Sequence, residues 1–146
     1  MPFSFRLEPL ITIRDNVLKK KQGELAKAYE ARRIVETKRT EIDSALKSVL
    51  ENGRTMIQPG KAVNVDFLLG LRRQEMYLLA DRNDCDEKIR ILDEEIERRR
   101  QIVIEANKEL KTVEKLKEKK REIYNAEQTR RETVEMDEVA GNRVSR

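Results

Sequence analysis

The stretch from Leu68 to Val113, LLGLRRQEMYLLADRNDCDEKIRILDEEIERRRQIVIEANKELKTV, decides the fold. Steps of three and four residues alternate from Leu68 through Leu71, Glu75, Leu78, Arg82, Cys85, Ile89 and Leu92. They continue through Ile96, Arg99, Val103, Ala106 and Leu110 to Val113. Eleven of these fourteen positions are apolar or cysteine, and most residues between them are polar or charged. A repeat of 3.5 residues held this long draws one narrow apolar seam down a helix, the signature of a coiled coil. At ~1.5 Å per residue the window spans roughly 70 Å, and such a seam needs a partner helix.

Composition agrees. Of 146 residues, 41% are charged and only 4% aromatic, with no Trp and no His, so a round globular core lacks its bulky side chains. So much charge also suits a disordered chain, but the sustained repeat argues against that. The net charge of +4 is mild and mixed, unlike the one-signed arm of a dedicated nucleic-acid binder. A single Cys excludes an intrachain disulfide and a cysteine-based metal site. No apolar run approaches the ~18 residues of a membrane span. The opening Met1-Pro2-Phe3-Ser4-Phe5-Arg6 reads as neither signal nor transit peptide, and the expected location is cytoplasmic.

A second ladder precedes the first: Ile11, Arg14, Leu18, Lys21, Leu25, Ala28, Arg32, Val35, Arg39, Ile42, Leu46 and Val49. Its four polar positions are all basic; their methylene stems can lie along the seam while the charged heads stay wet. Pro9 fits a first helical turn. Asn52-Gly53 reads as a helix stop, Pro59-Gly60 as a turn, and Asn64 as the N-cap of a helix with Asp66 in its first turn. The expected fold is all-α, a long two-helix antiparallel coiled-coil hairpin with a C-terminal helical overhang, forming one domain over 1–146. Its helices are placed at 7–52 and 65–138, the connection at 53–64 and a disordered tail at 139–146. Counting from the turn sets Val49 near Leu68 and Leu7 near Leu110. The second helix then outruns its partner by about 30 residues, at one residue per ~1.5 Å of axis. Past Val113 the repeat is read as slipping by one, to Leu116, Ile123 and Val134. A monomeric hairpin and a dimer that swaps its helices bury the same seams, and both remain open.

Little in the chain suggests catalysis. There is no glycine-rich phosphate loop, no His, and no cavity in a two-helix coil for a nucleophile or base; no enzyme activity, cofactor or metal is expected. Asp84, Asp86 and Glu87 read as a solvated face rather than a divalent-ion site. Cys85, on the seam, reads as core filler rather than a reactive thiol. The basic run Lys111, Lys115, Lys117, Lys119, Lys120 and Arg121 is either a solvated helix face or a contact for an acidic surface or phosphates. A protein partner is the preferred contact. Phe67, Leu71 and Leu78 read as seam filler ahead of partner anchors.

Four segments resemble the flagellar FliJ family. They are Phe5-Arg6-Leu7-Glu8-Pro9-Leu10 followed by Ile13-Arg14, and Phe67-Leu68-Leu69-Gly70-Leu71. The others are Val113-Glu114-Lys115-Leu116-Lys117-Glu118-Lys119 and Met136-Asp137-Glu138-Val139-Ala140. The resemblance implies an antiparallel coiled coil similar to the central-stalk subunit of rotary ATPases, acting in the flagellar type III export apparatus. It implies binding in the central hole of the hexameric export ATPase FliI, promotion of ring assembly, a link to the export-gate protein FlhA, and contact with export chaperones. The protein would then be cytoplasmic, peripheral at the inner-membrane face of the flagellar base, touching the membrane through partners only and binding no nucleic acid. On this resemblance Leu7, Leu10, Arg14, Lys115, Leu116, Lys119, Arg121 and Met136 are expected at the ATPase ring, and Phe67, Leu71 and Leu78 at the gate. The alternatives are the equivalent stalk protein of a virulence-type secretion system and a nucleic-acid-binding helical adaptor.

Overall fold

A computed structural model describes residues 2–144 of the chain. Two helices account for nearly all of it, α1 (Glu8–Met56) and α2 (Val65–Val144), and no strand occurs among the described residues. Their lengths, 49 and 80 residues, follow from an interior free of proline: Pro9 sits in the first turn of α1 and Pro59 in the connection. Every position of both ladders is buried or half-buried.

The chain divides into two compact units. In the first, residues 2–22 meet residues 102–144. Its core is Leu18, Ala106 and Leu110, with Ile11, Val17 and Val103 packed against it. Arg14 pairs with Glu109 at 2.7 Å and Glu8 with Lys117 at 2.8 Å, so the helical segments run antiparallel.

The second unit spans residues 23–101. Ile42, Leu46 and Cys85 form its core, flanked by Val35, Leu78 and Leu79. Cys85 is 2% exposed, which places it as core filler. Arg32 meets Asp93 at 2.6 Å, Arg39 meets Asp86, and Arg82 meets Asp43 at 3.5 Å, again antiparallel.

Three sequence expectations need correction. First, α1 runs through Asn52-Gly53 to Met56, and the connection shrinks to 57–64. The residue with positive φ is Gly60 (φ 80°), not Gly53, and a glycine ends a helix only by adopting that conformation. Asn64 caps as expected, its Oδ1 accepting from the Phe67 N–H at 3.2 Å.

Second, the register differs by about one heptad. Because residue 43 faces 82, Val49 stands six residues further along, level with 76 rather than 68. In the first unit Leu7 stands level with Glu8's partner Lys117, not with Leu110. A shift of seven keeps the apolar faces together, so the seam alone does not choose between registers. The charges do. Counting from the turn would set Arg32 against Cys85 and Arg39 against Leu78, whereas the observed register gives them Asp93 and Asp86.

Third, the seam does not slip after Val113: Lys117 and Tyr124 hold the inward positions, while Leu116, Ile123 and Val134 are 39%, 57% and 49% exposed. The stem of Lys117 carries its ammonium to Glu8, and Tyr124 meets Phe3, so partners outside the helical repeat fill the seam here. Helix α2 also continues through 139–144, where a disordered tail was expected; residues 145 and 146 of that tail lie outside the described residues.

Candidate interaction surfaces

Two surfaces emerge, one in each unit. In the first unit, the lead-in Pro2–Leu7 is not helical and packs on α2. The Phe3 ring lies 5.5 Å from that of Tyr124, and the Arg121 guanidinium sits 5.6 Å from the Phe3 centroid. The Leu7 carbonyl accepts from the Leu10 and Ile11 N–H groups at 2.9 and 3.3 Å, opening α1. Glu8 places its carboxylate in that first turn, where the helix dipole favours it.

The expected ring-contact residues all fall within this unit, though they do not form one patch. Leu10 is half-buried, and Arg14 is tied to Glu109. Leu7 and Leu116 are partly exposed, Lys115 and Lys119 fully on the surface, and Arg121 caps Phe3 while standing 4.0 Å from Glu118. Met136 is 75% exposed on the far part of α2. From 125 to 144, the twenty residues past Tyr124, all but Gln128 are exposed. Lys111, Lys115, Lys119 and Lys120 make no ion pair among the described residues, whereas Lys117 does.

In the second unit, Leu71 and Leu78 are seam residues, and Leu78 packs against the core, while Phe67 is 44% exposed beside them. Sequence reading missed the neighbouring stripe of Leu69, Arg73, Met76 and Tyr77, whose apolar members are exposed. The signal was available, since Leu69, Met76 and Tyr77 each lie one position off the ladder, with Arg73 between them at helical spacing. Phe3 and Tyr124 were missed for a different reason: contacts from a non-helical segment leave no period in the sequence, while Ile123 reads only as a slipped seam position.

Among the described residues of the second unit most arginines are matched, whereas Lys27, Lys38, Lys47, Lys61 and Lys88 make no ion pair. Arg82, Arg90, Arg98, Arg99 and Arg100 each find a carboxylate within 4 Å. A hydrogen bond from Arg90, reinforced by its charge, holds the Glu87 carboxyl below its usual range, and Arg33 does the same for Glu30. Asp86 is engaged by Arg39. Of the acidic trio, Asp86 and Glu87 are thus ion-paired while Asp84 is exposed, and among the described residues no acidic or thiol cluster is arranged to hold a metal ion. No described helix is long and apolar enough to cross a membrane.

Paired antiparallel helices, ion-matched across the seam and with α2 outlasting α1, define an antiparallel two-helix coiled-coil protein. The sequence matches the family described as Flagellar FliJ protein over residues 3–146, and the chain belongs to that family. It is thereby a component of the flagellar export apparatus. No curated protein and no solved structure matches the chain.

Proposed function

We propose that the protein is a non-enzymatic, central-stalk-like component that binds the export ATPase ring (FliI), promotes its assembly and links it to the export gate (FlhA). It works in the cytoplasm, peripheral at the inner-membrane face of the flagellar base, and also meets export chaperones. Membership of the FliJ family supports the setting. The observation that carries the ring contact is the exposed far part of α2, residues 125–144, together with the unpaired lysines just before it. Nineteen of these twenty residues are exposed, which leaves helix surface open to a partner, and exposed cations raise the encounter rate with an acidic surface.

The exposed stripe beside the turn, Phe67, Leu69, Met76 and Tyr77, supports a second contact in the other unit, assigned to the gate. Two sets of variants test the two contacts separately. Charge reversal at Lys115, Lys119 and Arg121 is expected to weaken capture of the ATPase hexamer at least tenfold while gate binding persists. Phe67→Ala with Leu71→Ala is expected to do the reverse at unchanged helicity by circular dichroism. Unaltered capture of the hexamer by the charge-reversed protein would refute the ring assignment.

A further inference from the structure

Leu116 and Ile123 are seven residues apart on α2, about 10.5 Å along the axis and within roughly 20° of one another around it. Val134, eleven residues further, returns to within about 20° of the same line. The three share one exposed face, beside the seam rather than on it. On the seam side this face is walled by the lead-in. Pro2–Leu7 and the α2 residues Leu116, Lys120, Ile123, Tyr124 and Glu127 enclose a groove of about 720 Å3. Phe3 anchors the wall through Tyr124 and Arg121, and the Glu8–Lys117 pair fixes its end.

The rim is basic. Arg6 and Lys120 line the groove, and Glu127 is its one carboxylate. On the helix surface Lys115 and Lys119 flank Leu116 on the side away from the lead-in, at about −100° and −60° around the axis. Lys115, Lys119 and Lys120 make no ion pair among the described residues, so their ammonium groups are open to an incoming carboxylate. On the ladder, Arg14, Arg32, Arg39, Arg82 and Arg99 each meet a carboxylate, whereas the three lysines at this rim do not.

We propose that the groove docks one acidic amphipathic helix of a partner protein. Its apolar residues, seven apart, lie against Leu116 and Ile123, and its carboxylates face Arg6, Lys115, Lys119 and Lys120. The non-helical lead-in is then a structural wall of a binding surface. The groove shares Leu116, Lys115 and Lys119 with the proposed ring contact, but its occupant is defined by its chemistry and is tested without the ATPase or the gate.

The test uses the full chain and a stapled three-heptad peptide with leucine at the heptad core positions and glutamate elsewhere. A matched peptide carries lysine in place of glutamate. Fluorescence anisotropy should give binding of the glutamate peptide in the tens of micromolar, and of the lysine peptide at least twentyfold weaker. Methyl NMR should place the largest shifts at Leu116 and Ile123. Ile123→Lys, at a position already 57% exposed and so compatible with the fold, should weaken binding at least tenfold. Phe3→Ala should weaken it about fivefold by loosening the wall. Both variants are checked for unchanged helicity. Equal binding of the two peptides, indifference to Ile123→Lys, or no binding at millimolar peptide would overturn the proposal. So would self-association of the chain that Ile123→Lys abolishes, because the occupant would then be a second copy.

Discussion

Leu46 is 6% exposed and sits with Ile42 and Cys85 in the core of the second unit, while Leu50, one turn later on the same helix, is 50% exposed. Replacing each with alanine separates the seam from mere leucine content. A buried Leu→Ala change costs about 2–5 kcal/mol, more where the surroundings cannot collapse. This seam is only two helices thick, with solvent on both flanks, so the cavity partly closes and the loss falls near the lower end, about 2–3 kcal/mol. Alanine's helix propensity returns only about 0.2 kcal/mol. Leu50→Ala removes partly wet surface and should stay within about 0.5 kcal/mol. Urea titrations followed by ellipticity at 222 nm give both numbers, and the denaturant slope should be unchanged, because the area exposed on unfolding hardly differs. Equal losses for the two variants would refute the ladder as the source of stability, whatever its regularity in the sequence.

Two further outcomes follow from the charges. Arg14→Glu sets like charges against Glu109, 2.7 Å away in the present pair. Because both side chains are about 40% exposed, the loss should be only about 0.5–1 kcal/mol and shrink in high salt. Adding Glu109→Arg should restore most of it; no recovery in the double variant would show that the pair does not set the register. Glu30 and Glu87 have carboxyl groups held below their ordinary values by Arg33 and Arg90. Their share of stability is therefore fully present above the unfolded carboxylate value of ~4.3 and is lost as pH falls through the lower folded values. The urea midpoint should drop on acidification from about pH 5 to about pH 3, and less steeply in the Arg33→Gln/Arg90→Gln variant, with identical slopes contradicting the assignment.

The fold was legible because a 3.5-residue period survives any choice of partner. Positions as far apart as Ile11 and Val113 fall inward as the spacing requires. Register was less legible. A count from the turn assumes that the helix ends at Gly53, yet glycine there takes ordinary helical geometry, and among the described residues only Gly60 turns left-handed. The deciding information lay in the basic ladder positions Arg14, Arg32 and Arg39, which looked like flaws in an apolar seam. Each instead finds a carboxylate of α2. The candidate contact in the first unit was half legible: its lysines are visible as a run, but the contact between Phe3 and Tyr124 joins a non-helical segment to a helix and has no periodic trace. The apparent slip to Leu116 and Ile123 was real as a pattern and wrong as a seam, because those residues form a second, exposed stripe.

Antiparallel pairing in the observed register is the claim on which both surfaces depend. In a Cys85→Ala background, paired cysteines at Arg39 and Asp86, whose side chains touch, test it directly against a pair at Arg39 and Leu78. A short bis-maleimide, able to span the gap left when the Arg and Asp side chains are shortened to cysteine, should link 39 to 86 rapidly within one chain, read as a faster-migrating monomer on a denaturing gel, and link 39 to 78 far more slowly. Preferential closure of 39–78, or cross-linking of 39–86 only between two chains, would contradict the account.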